Sequence, residues 1–200
     1  AMAANQLAAD LDAGFAGKTP LERLALLAES VDGRRVFTTS LGLEDQMLTH
    51  LIFENALPFE VVTLDTGRLF PETYALWQRT EERYGRRIKA KYPQVDALEA
   101  LVDDQGIDGF YFGTDMRKAC CGVRKVEPLG RALNGASAWV TGLRRDQSPN
   151  RERLDFVSFD AARGLVKANP LFDWTREDIR LFTEQHDVPV NALHLSLIHI

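Results

Sequence analysis

Hydrophobic positions along the chain alternate between short unbroken apolar runs and longer stretches with helical spacing, and the elements they predict alternate in the same way. Thr19-Pro20-Leu21-Glu22 combines an N-cap, a proline at the first helical position and a capping-box glutamate, which predicts a helix to about Val31. Arg35 to Thr39 is a short β-branched and aromatic run that reads as a strand, and Gln46 to Asn55 reads as the helix after it. Phe59 to Leu64 predicts a second strand. Pro71 opens a helix that reaches about Tyr84. Ile88 to Tyr92 and Ala138 to Thr141 supply further strands, separated by helical stretches from Val95 to Asp103 and from Val126 to Leu133. Thr175, with Asp178 three residues on, caps a last helix to His186. Strands that alternate with helices of this length predict an α/β fold, a parallel sheet with helices on both faces.

In such a sheet, ligands sit beyond the carboxyl ends of the strands, where strand-to-helix loops gather. Three loops fall there. Ser40-Leu41-Gly42-Leu43-Glu44-Asp45 follows a strand and opens a helix, an arrangement that turns backbone N–H groups and a helix dipole towards an anion, although a plain N-cap has the same appearance. Ser40 adds a hydroxyl, and Gly42 lets a backbone come close to a phosphate or sulfate. Asp65-Thr66-Gly67-Arg68 ends the second strand; it reads either as a tight turn with Gly67 at positive φ or as a second wall of the crevice. The third loop, Thr141 to Arg151, releases Arg144, Arg145 and Arg151 from an apolar strand, and guanidinium forks match phosphate and sulfate oxygens.

Composition narrows the classes. Apolar residues make up 45% and charged residues 26%, close to a globular average, so the chain predicts one ordinary domain with a substantial core. A net charge of −5 argues against broad binding to nucleic acid. No apolar run has membrane length and the first residues resemble no secretory leader, so neither membrane nor export is expected, and with 2 cysteines a reducing cytoplasm is the natural compartment. Those cysteines, Cys120 and Cys121, are adjacent. An unstrained disulfide wants Cα atoms about 5.5 Å apart whereas neighbouring Cα atoms lie about 3.8 Å apart, so the two do not readily bridge each other. Free thiols are often simply buried, but Arg117, Lys118, Arg124 and Lys125 surround this pair, and cations favour the thiolate that ligates metal. His50, His186, His194 and His199 show no metal spacing.

Taken in order, Ser40-Leu-Gly-Leu-Glu-Asp45, Leu64-Asp-Thr-Gly-Arg68 with Pro71-Glu-Thr-Tyr74, Cys120-Cys-Gly-Val-Arg-Lys-Val-Glu-Pro-Leu129 and Trp139-Val-Thr-Gly-Leu-Arg-Arg-Asp-Gln-Ser-Pro149 resemble the assimilatory adenylyl-sulfate reductases of the APS/PAPS reductase family, over about Leu21 to His194. The resemblance implies a pyrophosphatase-type (PP-loop) nucleotide-binding fold in a single domain over 1–194. It implies a substrate site of Ser40, Gly42, Asp65, Lys125, Gly142, Arg144, Arg145 and Arg151, with the Ser40 loop holding the phosphosulfate. Cys120 and Cys121 would be two of four thiolate ligands of a [4Fe-4S] cluster, and Lys125 would lie between cluster and substrate. The implied reaction converts adenylyl sulfate to sulfite and AMP with thioredoxin as reductant, in sulfate assimilation and cysteine biosynthesis. A homo-oligomer is left open.

After Asn191-Ala-Leu-His194 the family pattern continues to a second cysteine pair and a tail carrying the nucleophilic cysteine. Leu195 to Ile200 do not follow it. The expectation is therefore a chain that binds nucleotide but has no family nucleophile and an incomplete cluster. Two alternatives are a phosphoadenylyl-sulfate reductase, disfavoured by the cysteine pair, and a non-catalytic adenine-nucleotide binding module.

Overall fold

The structure is a computed structural model that describes residues 2–147 and 155–192. Arg151, the domain boundary expected at residue 194, and the 195–200 terminus lie outside the described residues. The elements run α1 (Met2–Phe15), α2 (Pro20–Ser30), β1 (Arg34–Thr39), α3 (Leu43–Glu54), β2 (Glu60–Leu64), α4 (Pro71–Tyr84), β3 (Lys89–Lys91), α5 (Val95–Gln105), α6 (Thr114–Cys121), α7 (Glu127–Leu133), β4 (Ala136–Val140), β5 (Val157–Asp160), β6 (Leu165–Ala168) and α8 (Arg176–Gln185).

The sheet order is β3-β2-β1-β4-β6-β5. Every neighbouring pair is parallel, as expected, except β5 with β6 at one edge, where Asp160 and Gly164 close a tight antiparallel connection. The chain runs outward from β1 through β2 to β3 and then returns to β4 on the other side of β1. That reversal opens a crevice between the carboxyl ends of β1 and β4.

Alternation along β1 and β4 sends side chains to two cores. Phe37, Ala138 and Val140 join the larger one with α1, α2, α3 and α8, whereas Val36, Val62 and Trp139 join a smaller one closed by Ala132 and Leu133 of α7. α2 is capped as its sequence predicts: the Thr19 hydroxyl accepts from the Glu22 N–H, and the Glu22 carboxylate accepts from the Thr19 N–H. Arg23 of α2 is 1% exposed; its guanidinium donates to the Phe15 and Pro170 carbonyls and clamps both Asp173 oxygens at 2.7 and 3.0 Å. This fixes the segment after β6 against α1 and α2, and Arg23 holds the Asp173 carboxyl below its ordinary pKa.

Candidate functional site

The crevice at the strand reversal is a cleft of about 590 Å³. Its walls come from Thr38, Thr39 and Ser40 at the end of β1, Thr63, Leu64 and Thr66 at the end of β2, Trp139, Thr141, Gly142 and Leu143 at the end of β4, and Lys167 of β6. The Trp139 indole forms part of the floor, its Nε1 donating to Thr38 Oγ1 at 2.8 Å.

The Ser40 loop is shaped from within. Leu41, not a glycine, takes the left-handed conformation at φ 62°, and its N–H donates to Thr39 Oγ1. Gly42 is the N-cap of α3 and gives no side-chain cap, so the first turn of a 12-residue helix opens towards the crevice. Asp45 reaches back to accept from both the Ser40 N–H at 2.6 Å and the Ser40 hydroxyl at 2.9 Å. Burial pushes its carboxyl up to about 6, against the opposing pull of the two Ser40 donors. Ser40 therefore spends its donors on an internal carboxylate rather than offering both to a ligand.

Of two other expected residues, Asp65 serves a wall from behind and Gly142 lines one. Asp65 is buried; its Oδ1 accepts from the Gly67 N–H at 2.9 Å and the Tyr74 hydroxyl at 2.8 Å, which fixes the turn after β2, with Gly67 at φ 78°. Burial, followed by the Asp65 hydrogen bond, pushes the Tyr74 hydroxyl up to about 12. Gly142 lines the cleft and its backbone lies against Asp45.

The arginine loop is arranged differently from a fan of free cations. Arg144 is 6% exposed, and its Nε donates to Glu44 Oε1 at 2.9 Å, an oxygen it shares with Arg176 at 3.1 Å. The Arg145 guanidinium lies over the Phe172 ring at 5.0 Å. Neither is among the described residues that line the cleft. The lining cations there are Lys125 and Lys167, and Lys167 is the residue that sequence reasoning missed.

A second cavity of about 330 Å³ adjoins the first and is lined by Cys120 and Cys121 together with Arg68, Arg117, Arg124 and Lys125. Thr66, Leu69 and Lys125 belong to both cavities. The thiols end α6, and Gly122–Val126 continues the same rod as one π-helical stretch before α7. Such wide turns recur at functional sites because the extra residue re-aims the side chains around it. Arg124 NH1 donates to the Thr66 carbonyl at 2.7 Å, while its buried Nε has no partner among the described residues.

Among the described residues, two thiols, several cations, no lining carboxylate and one orphaned donor make a cradle for a group that binds thiolates and is anionic once bound, which is the chemistry an iron–sulfur cluster presents. These residues fit one side of such a group. Among the described residues no third His, Cys, Asp or Glu stands with them as a ligand, so the described set is half of a four-thiolate shell.

Residues 34–197 match the family model for the phosphoadenosine phosphosulfate reductase domain. The chain belongs to that family. An adenosine 5′-phosphosulfate reductase of Agrobacterium fabrum is 50% identical over 93% of this chain and 71% of its own length. One of Sinorhizobium fredii is 55% identical over 86% of this chain and 68% of its own, and one of Allochromatium vinosum is 48% identical over 87% and 68%. In three dimensions, a crystal structure of phosphoadenylyl-sulfate reductase from Candida auris, a phosphate complex, matches with a TM-score of 0.79 over 95% of this chain and 90% of that one, at 25% identity. The PP-loop fold and the place of the chain among oxidoreductases acting on sulfur are thereby given. No described helix is long and apolar enough to cross a membrane.

Proposed function

We propose that this chain is the substrate-binding body of an enzyme that reduces adenylyl sulfate to sulfite and AMP, taking electrons from a dithiol protein of the thioredoxin kind, in cytoplasmic sulfate assimilation. The observation that carries the reading is the shared wall: Lys125, Thr66 and Leu69 close the nucleotide cleft on one side and the cysteine cavity on the other. A sulfuryl group beside Lys125 is thus next to the thiols, while the nucleotide occupies the floor formed by Trp139. Relatives near half identity that carry the adenosine 5′-phosphosulfate name support the unphosphorylated ribose over the 3′-phosphorylated substrate.

In this reading a thiolate attacks the sulfate sulfur, the S–O bond to phosphate breaks, and the electron pair leaves with AMP. A dithiol thiolate then attacks the cysteine sulfur of the S-sulfocysteine, sulfite leaves, and the second thiol resolves the mixed disulfide, which restores the cysteine thiolate and leaves the dithiol as a disulfide. Cys120 and Cys121 are assigned as cluster ligands, so neither is the attacking thiolate. The cluster itself would supply an anionic, polarisable group beside Lys125.

Calorimetry with AMP, followed by intact-mass measurement after incubation with adenylyl sulfate, tests the proposal. The 200-residue chain is expected to bind AMP and to gain no sulfonate. No nucleotide binding would overturn the substrate reading, and a sulfonate on Cys120 or Cys121 would overturn their assignment as ligands.

A further inference from the structure

Lys167 is a half-buried lysine that no carboxylate among the described residues pairs with directly. It stands opposite Trp139 in the β4–β6 register, its Nζ 4.5 Å from the centre of that indole ring, and it lines the cleft. It makes no ion pair or side-chain hydrogen bond among the described residues. The nearby carboxylate, Asp160, is already bridged by Arg163 at 3.0 Å, and the Arg163 guanidinium lies 5.2 Å from the same indole. Burial and Arg163 both lower the Lys167 pKa, with Asp160 opposing them.

The other charges of the cleft are accounted for. Glu44 is neutralised by Arg144 and Arg176, Asp45 is taken by Ser40, and Lys125 faces the cysteine cavity as well as the cleft. An ammonium held over an indole without a counter-ion is costly in the empty protein and is relieved when an anion arrives.

Building on the nucleotide reading above, we propose that Lys167 is a specificity residue, the cation that meets a phosphate of the bound nucleotide on the Trp139 floor and makes the cleft prefer a nucleotide to its nucleoside. The phosphate is the one on the 5′ position, since the substrate of that reading carries none on the ribose.

Calorimetry on the whole chain with adenosine, AMP and adenosine 3′-monophosphate tests it, using Lys167→Met, which keeps the apolar stem, and Lys167→Arg, which keeps the charge. Lys167→Met is expected to weaken AMP by about tenfold or more while adenosine stays within about twofold, and Lys167→Arg to restore most of the loss. A loss confined to adenosine 3′-monophosphate overturns the assignment to the 5′ phosphate. Unchanged affinity for both phosphorylated ligands, or an equal loss for adenosine, overturns the assignment. Failure of the parent chain to bind AMP at all overturns the nucleotide reading instead, so the two failures are distinguishable. A thermal melt of each variant confirms that the fold is intact.

Discussion

Asp45 Oδ1 lies so close to the Gly142 backbone that a Cβ on Gly142 would stand 2.1 Å from it. The contact joins the loops after β1 and β4 across the strand reversal, and it is why residue 142 has no side chain. Gly142 has no left-handed φ; closeness alone requires the glycine. Gly142→Ala should push Asp45 off Ser40 and destabilise the fold by roughly 1–3 kcal/mol. Urea unfolding reads this directly, and in a double-mutant cycle with Asp45→Ala the two losses should be strongly non-additive. A Gly142→Ala variant as stable as the parent would contradict the close approach.

The buried Asp45 carboxyl gives the protein a pH signature of its own. Its pKa is raised from 3.8 to about 6 on folding, so between these values the folded chain holds a proton that the unfolded chain has lost. Stability from this group therefore falls as pH rises from about 4 to 6, by on the order of 2–3 kcal/mol in all. Asp45→Asn, which keeps an acceptor for Ser40, should flatten that part of the profile. Urea midpoints collected from pH 4 to 8 for both proteins provide the check, and superimposable profiles would refute it.

Arg144 should matter first to stability. Its removal leaves the nearly buried Glu44 with Arg176 alone, and breaking a buried pair costs about 3–5 kcal/mol, here reduced by the remaining partner to roughly 2–3. A solvated loop arginine would give a loss near zero. Denaturation of Arg144→Ala separates the two, and Glu44→Gln/Arg144→Ala should recover part of the loss.

Much of this arrangement was legible beforehand, and the omissions have physical causes. The capping boxes at Thr19 and Thr175 and the proline at Pro71 located α2, α8 and α4 because those signals are local. α3 begins at Leu43 rather than Gln46, since every residue from Leu43 to Phe53 is buried and no amphipathic period marks its start. α1 was missed, its first turn lacking both an acidic residue and a cap signal. β5 and β6 are four residues each, too short to show alternation, and with β6 went Lys167. Ser40, Lys125 and Gly142 line the cleft; Ser40 and Gly142 stand out because each follows a strand, whereas Lys125, on the stretch between α6 and α7, came from the resemblance alone. The inward turn of Arg144 depends on Glu44, 100 residues away in sequence, and no local pattern reports that pairing.

Iron loading of the 200-residue chain should be incomplete. Two thiolates supply half the ligands of a four-cysteine cluster, so anaerobic reconstitution should leave iron and sulfide well below four per chain. Cys120→Ser and Cys121→Ser should each reduce what iron is retained. A full and durable cluster on a monomer would disprove this, and sizing the sample distinguishes it from a cluster held between two copies.

Because Lys125 lines both cavities, an occupant of either would meet the same side chain. On the reading proposed above, an anion on the nucleotide side would draw on a charge that also faces the thiols, and linkage would make the exchange reciprocal: the factor by which nucleotide changed affinity in the cysteine cavity would be the factor by which an occupant of that cavity changed affinity for nucleotide. One lysine would then make two compartments into a single thermodynamic unit, whose coupling is measurable from either end.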